Sequence, residues 1–371
     1  MNFGRKAESG AFDDLINNPA WRTTWNARHH SLMMYRGYPG EGMSWYNNMF
    51  QFYVDAYIIY GWSGVNDAGD DWQTYAFRDM SNNPCKMYSG GPDYAGDFIT
   101  KPLFRQHLID YSIAKFTSFS WYKCLYIDDS NLHQYVSPVP KDPDTGQPYT
   151  AAKWKTGMRN YLDQWKTAFA AAHPTKLIAH NTQPLQYPSP DYTDADLIAS
   201  IDSCNYVLDE FGFQDGNHQT LDAAAWAKKH DFRDLVHSRG RYMLSQEYNI
   251  ISGQQMPNTD TKKTWGLANF FLSSDTLYDH FWTFYQSLPN VEPWPYTINL
   301  ANPKNNRYLY QNVWRRDFAN GFVLANPPGS PQRNVDGIIL NANEGYISPV
   351  APLGLRRIQP VRKGDRVVKI R

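Results

Sequence analysis

Over 371 residues, 36 Lys and Arg balance 36 Asp and Glu, so the formal charge at pH 7 is zero. A protein that grips a nucleic-acid backbone carries a basic surplus, because phosphate neutralisation supplies most of that affinity; this balance speaks against one. No apolar run reaches the roughly 18–20 residues needed to cross a bilayer, which speaks against a membrane span.

The length allows one large core plus a small appended domain. The three cysteines, Cys85, Cys124 and Cys204, make neither a disulfide framework nor a metal cluster. The 13 Trp and 26 Tyr serve either a large core or sugar binding, in which flat rings stack on pyranose C–H faces.

In chain order, "MNFGR" reads as the stub of a first strand, as though an upstream leader or strand had been trimmed. Export is the matching expectation. "AFDDLINNPAWRTTWNARHH" follows as a helix, then "SLMMYRG" as a strand ending at Tyr35 and Arg36. "DWQTYAFRD" is read as a weaker strand ending at Arg78 and Asp79. Leu103, Leu108, Ile109, Ile113 and Phe116 recur at roughly helical spacing and feed into the strand "CLYIDD". After the turn-rich "DPDTGQP", Trp154, Met158, Leu162, Trp165 and Phe169 mark an amphipathic helix that His173-Pro174 stops. The strand "KLIAHN", the helix "DADLIASI" and the strand "CNYVLDEFGF" come next. A helix "LDAAAWAKKHDFRDLVHSRG" ends at Gly240, and "RYMLSQEY", "TKKTWGLANFFLSS" and "DHFWTFYQ" continue as strand, helix and strand.

Seven strands, centred near Leu32, Thr74, Cys124, Leu177, Asn205, Tyr242 and Phe281, thus alternate with helices. Such alternation implies parallel βαβ units, and the stub at "MNFGR" supplies an eighth strand. The expectation is an α/β chain: a (β/α)8 TIM barrel over residues 1–290, then a β-rich domain or barrel-capping strands over residues 291–371. An open doubly wound sheet is the alternative, but no Gly-rich phosphate loop is present.

In a (β/α)8 barrel the active site lies at the C-terminal ends of the strands. Those ends carry Arg36, Asp79, Asp128 with Asp129, His180 with Asn181, Asp209 with Glu210, Gln246 with Glu247, and Tyr285 with Gln286. Nearly every one can bond a polyol. Glycoside hydrolysis needs one carboxyl to protonate the leaving oxygen and another to attack the anomeric carbon or activate water. Asp128 and Glu210 lie two βα units apart, where strands face one another across a barrel mouth. A lone Asp at a strand end is more often a cap or turn former. Asp209 and Glu247 are rival acids, and His180 alone is more often structural. Trp62, Trp72, Trp282 and Trp294 are candidate stacking platforms for sugar rings.

Two metal readings compete. Tyr-x-Asp-Asp marks polymerase palms, but the Pro-rich "SNLHQYVSPVPKDPDTGQP" stands where that hairpin needs a second strand. Asp128, Asp129 and His133 suit a zinc-dependent deacetylase only with a His-x-x-x-His element, which the chain lacks. No metal or organic cofactor is therefore expected, and the expected partner is a carbohydrate substrate. A non-catalytic carbohydrate-binding barrel remains the other reading.

The strand ends "YIDD", His-Asn and "LDEFGF", in that order, resemble the hypothetical glycoside-hydrolase barrels related to endo-α-1,4-polygalactosaminidases. The later segment "WRRDFANGFVLANP" resembles their R-x-F-x-x-G-x-V-x-x-N-P stretch. The resemblance spans roughly residues 31–330. It implies Asp128 as nucleophile, Glu210 as acid/base and Asn181 as a substrate-orienting amide. Where those relatives carry Arg-Asn, this chain carries His180-Asn181, so the resemblance does not name the sugar.

Overall fold

The computed structural model describes residues 2–7, 31–34, 44, 46, 48–59, 72–87, 93–134, 136–182, 193–213, 221–247, 260–275, 277–285, 298 and 300–349. The first strands are β1 (Asn2–Ala7), β2 (Ser31–Met34), β3 (Met49–Asp55), β4 (Ile58–Ile59) and β5 (Tyr94–Ala95). They are followed by β6 (Cys124–Asp128), β7 (Leu177–His180), β8 (Tyr206–Asp209), β9 (Tyr242–Glu247) and β10 (His280–Tyr285). The last six are β11 (Tyr308–Tyr310), β12 (Val313–Phe318), β13 (Gly321–Asn326), β14 (Arg333–Val335), β15 (Ile338–Leu340) and β16 (Glu344–Pro349). The helices are α1 (Trp72–Tyr75), α2 (Pro102–Ser118), α3 (Ala151–Ala172), α4 (Ala195–Asp202), α5 (Ala223–Ser238) and α6 (Asp260–Ser273). No described helix is long and apolar enough to cross a membrane.

The chain divides into two compact units. One comprises Pro39–Glu41 and Phe50–Val207; the other comprises Met1–Tyr38, Gly42–Met49 and Leu208–Arg371. In the first, β3, β6 and β7 pair in parallel, and Ala179 and His180 of β7 pair onward with Tyr206 and Val207. In the second, β2, β1, β10 and β9 pair in parallel in that order. Each unit therefore holds a parallel half-barrel sheet, and the fold is α/β.

β6 is buried at all five positions, as expected of a parallel strand covered on both faces. α3 buries Trp154, Met158, Tyr161, Leu162, Trp165 and Phe169, the stripe that its spacing predicts. The Thr150 hydroxyl accepts from Lys153 N at 3.1 Å and caps the helix, a contact worth about 1 kcal/mol. Both buried tryptophans of α3 satisfy their N–H groups: Trp165 donates to Ser112 Oγ at 2.9 Å and Trp154 to Asn131 O at 3.2 Å. The second bond ties the loop after β6 to the helical layer. In α2 Leu108, Ile109 and Phe116 of the apolar stripe are buried, Ile113 is half-buried and Leu103 is exposed. α5 is capped by Asp222, which accepts from Ala225 N, and is followed by Gly240 at φ 66°, as expected of a terminator.

One expected strand does not form. "DWQTYAFRD" is no barrel strand: Trp72–Tyr75 forms one helical turn, and Ala76 and Arg78 make only isolated bridges. Phe77 stacks on Trp154 with centroids 5.4 Å apart, so its apolar surface serves packing rather than a ladder. The strand in that place is β3, "MFQFYVD", buried throughout. The expected strand stub at the start is a full six-residue strand, β1, paired on both sides. The expected helix over residues 11–30 lies outside the described residues.

In the second unit β11, β12, β13 and β16 form an antiparallel sheet. Phe318, Val323 and Ala325 share one core with Trp265, Phe270 and Phe271 of α6. Arg316 reaches from β12 to the end of α6, where Nη1 donates to Phe271 O at 2.9 Å and Ser274 O at 2.7 Å. A cation there satisfies helix carbonyls left without intrahelical partners. Gly321 lies so close to β16 that a Cβ would sit 1.8 Å from Ser348 O. Asn326 Nδ2 donates to Pro331 O at 3.0 Å and Leu340 O at 3.2 Å, fixing the loop that follows β13. The R-x-F-x-x-G-x-V-x-x-N-P stretch is thus a packing signature.

Candidate active site

In the first unit β3 and β6 lie side by side with Tyr53 opposite Tyr126, Val54 opposite Ile127 and Asp55 opposite Asp128. Side chains alternate along strands, so the two Tyr and the two Asp share one face. Tyr53 OH donates to Asp55 Oδ1 at 2.8 Å, and Tyr126 OH to Asp128 Oδ1 at 3.2 Å. The same Tyr-x-Asp arrangement is therefore built twice, on strands about 4.8 Å apart. Ala56 N donates to Asp128 O at 2.9 Å, which holds the two strand ends together. Asp55 and Asp128 are 2% and 6% exposed.

Three donors converge on Asp128 Oδ1. Besides Tyr126 they are Asn181 Nδ2 at 2.7 Å and the backbone N–H of Asp129 at 3.0 Å. Asp129 adopts φ 49°, in the left-handed region that Asp tolerates better than most residues, and its own Oδ1 accepts from Asn131 at 3.4 Å. Asn181 follows β7, and its N–H donates to Ile127 O at 3.0 Å, so its side chain is placed by the sheet itself.

His180, expected to bind substrate, faces the other way. Its Nδ1 lies 3.4 Å from Ser203 Oγ, just after α4, and the ring is fully buried. Burial pushes its pKa down to about 3, against a smaller upward pull from Ser200. One step along a strand turns a side chain to the opposite face. That step separates the structural His180 from Asn181.

In the second unit Asp209, a rival acid, is committed to an ion cluster. Lys229 Nζ donates to its Oδ1 at 2.8 Å and Arg233 Nη2 to its Oδ2 at 2.8 Å. Lys229 also donates to Gly212 O, and Arg233 to Ser245 Oγ at 2.5 Å. All three charged groups are buried. The next residue, Glu210, is half-buried. Gln246 is fully buried, and neither of its amide atoms has a hydrogen-bond partner among the described residues.

Two further expectations need correction. Asp79 does not end a barrel strand; it sits in a turn where Oδ1 accepts from Ser81 N at 2.9 Å and Asn83 N at 2.8 Å. The Asn83 backbone bond holds its carboxyl below the usual range. Trp282 is fully buried and offers no open face for stacking on a sugar. Arg36, Trp62 and Trp294 lie outside the described residues, as do the side chains of Trp72, Glu247 and Tyr285. Among the described residues no group of three or more His, Cys, Asp or Glu could hold a metal ion.

Sequence reasoning missed Asp55. The available signal was the repeat itself: "FYVD" and "LYID" set Tyr and Asp at the same spacing after an apolar run.

No protein-family model matches the chain, and no curated protein matches it. Solved structures do. An α-amylase from Geobacillus thermoleovorans is 7% identical, with 94% of this chain and 98% of that one covered at a TM-score of 0.51. The glycoside hydrolase domain of PelA from Pseudomonas aeruginosa is 11% identical, covering 76% and 94% at 0.46. A cyclic α-maltosyl-(1→6)-maltose hydrolase from Arthrobacter globiformis is 10% identical, covering 92% and 90% at 0.47. These neighbours are glycoside hydrolases, and at such identities the likeness, carried by the α-amylase, is one of fold.

Proposed function

We propose that this chain is a glycoside hydrolase that cleaves a poly- or oligosaccharide with two carboxyl groups, Asp128 and Glu210, and with retention of configuration. The frame assigned to it is a closed (β/α)8 barrel with a small C-terminal β-domain, related to the polygalactosaminidase-type barrels. The observation that carries the reading is the treatment of Asp128: a buried strand-end carboxylate whose Oδ1 is gripped by Tyr126, Asn181 and a backbone N–H. Such pre-set donors fix a nucleophile's orientation before substrate arrives. The α-amylase likeness supports the frame, since fold alone does not assign function.

In the first step Asp128 Oδ2 attacks the anomeric carbon, the bond to the leaving sugar oxygen breaks, and Glu210 gives that oxygen its proton. In the second, Glu210 takes a proton from water, the water oxygen attacks the same carbon, and Asp128 leaves as carboxylate. Asp209 is turned to α5, and the next carboxyl, Glu210, is assigned the role of the acid. A retaining pair stands about 5–5.5 Å apart. Asn181 orients Asp128, and Trp62, Trp72 and Trp294 are assigned to ring stacking.

The test is release of reducing ends from soluble starch, dextran, galactan, xylan and chitosan, with the anomeric configuration of fresh product followed by NMR. Turnover of one polymer, lost in Asp128→Asn and in Glu210→Gln with folding intact, is expected. Binding of a polymer without turnover, or full activity in either variant, removes the hydrolase assignment.

A further inference from the structure

In the first unit α2 and α3 pack side by side, and a cavity of about 530 Å³ lies between the start of α2 and the exposed face of α3. That volume is in the range of small-molecule sites. Ile99, Ala152 and Gly157 give it an apolar wall, and the exposed Asn160 and Gln164 set amides at its rim. None of its lining residues belongs to a strand, and the two-carboxyl mechanism uses none of them. We propose that this cavity binds a small carboxylate, held by the Arg105 guanidinium and the Tyr161 hydroxyl.

The first observation is a charge without a counter-charge. Arg105 spends Nη1 on Phe98 O at 2.8 Å and Ile99 O at 2.9 Å, while its Nε is buried with no hydrogen-bond partner among the described residues. Lys153, the other lining cation, is already paired with Asp142 and Asp144 at 2.7 Å each, and no carboxylate lines the cavity. A cation taken out of water is costly without an anion. The Nε and Nη2 edge of a guanidinium is a planar fork that takes a carboxylate through two parallel bonds.

The second is a donor without an acceptor. Tyr161 lines the same cavity and is fully buried, its ring stacked on Phe98 with centroids 5.8 Å apart, and its hydroxyl has no partner among the described residues. Burial raises its pKa against a smaller downward pull from Arg105, so the hydroxyl keeps its proton beside a cation. Two unspent donors at one cavity call for an acceptor that carries negative charge and several lone pairs, and a carboxylate has both. A neutral sugar would leave the guanidinium uncompensated.

Sodium glucuronate, sodium succinate and glucose, titrated by calorimetry into the full chain, test this. The acids are expected to bind and glucose to give no heat. Heat from glucuronate alone identifies an acidic sugar as the ligand, and heat from succinate a simple organic acid; either supports the assignment. The titration reads binding alone, so it stands whether or not the chain hydrolyses a polymer. Arg105→Ala should weaken binding about 10–100-fold, the value of a hydrogen bond to a charged group, and Tyr161→Phe about 3–10-fold at constant melting temperature. Should Arg105→Ala fail to fold, Asn160→Trp serves instead: the exposed position tolerates an indole, which fills the cavity and abolishes binding. No heat from either acid up to about 20 mM overturns the assignment, as does equal heat from glucose. Undiminished affinity in any of these three variants overturns it too. So does loss of binding in Asp128→Asn, which would put the ligand at the strand ends.

Discussion

Tyr53 and Tyr126 stack across neighbouring strands, with ring centroids 5.6 Å apart and planes at 27°. Each turns its hydroxyl to the carboxylate two residues ahead in its own strand. The rings thereby form a rigid support beneath two acids. Removing one hydroxyl should leave the support standing and loosen only the acid above it.

Tyr126→Phe keeps the stacked ring and removes one of three donors to Asp128 Oδ1. The 3.2 Å bond is long, so a loss of about 1.5 kcal/mol, or about tenfold in kcat, is expected. Asn181→Ala removes the 2.7 Å donor and should cost more, about 2–3 kcal/mol. Steady-state kinetics beside thermal melting checks both. Unchanged kcat in the pair would show that the three-donor grip has no part in turnover.

Asp209 and Glu210 are adjacent and should behave oppositely. Asp209→Ala strands the buried Lys229 and Arg233 and should destabilise the protein by about 3–5 kcal/mol. Glu210→Gln should leave the melting temperature within a degree or two and abolish turnover. Urea unfolding with activity assays separates them, and the reverse pattern would make Asp209 the acid.

His180 should make the fold acid-sensitive. Burial pushes its folded pKa down to about 3, whereas an unfolded histidine titrates near 6.5. As pH falls below 6.5 the unfolded chain gains a proton that the folded chain refuses. Its contribution is complete above about pH 6.5 and is lost progressively towards pH 3, on the order of 3 kcal/mol by pH 4. Urea midpoints between pH 7 and 4 should fall less steeply in His180→Gln. Parallel curves for the two proteins would show that this ring is protonated in the folded state.

The C-terminal sheet should be a matter of stability alone. Gly321→Ala drives a Cβ to 1.8 Å from Ser348 O and must part β13 from β16, at a cost of about 3 kcal/mol. Arg316→Met leaves Phe271 O and Ser274 O without their cationic donor, costing about 2–3 kcal/mol. Both variants should keep the unmodified KM where they remain folded. A raised KM would bring the sheet into substrate binding.

The acids that matter were readable to different degrees. Asp128 stood out because an apolar run stops at it, and β6 is that run. Asp55 ends a run just as apolar, but "DWQTYAFRD" competes with it for the strand of that region, because composition does not distinguish a strand from the short helical turn at Trp72. Burial of Trp282 is not legible in the sequence, because indole suits a core and a sugar platform equally.

By itself, the sequence determined the local periodicities, and with them α2 to α6 and strands β6 to β10, because a step of 3.6 residues and a buried apolar run are written in neighbouring positions. The tertiary structure alone decided which strand end lies beside which and which way each side chain turns. Asp55 meets Asp128, Asn181 meets Asp128, and Asp209 meets Lys229 and Arg233 across separations of 20 to 73 residues. Register reverses with a single residue, so no local pattern contains that choice.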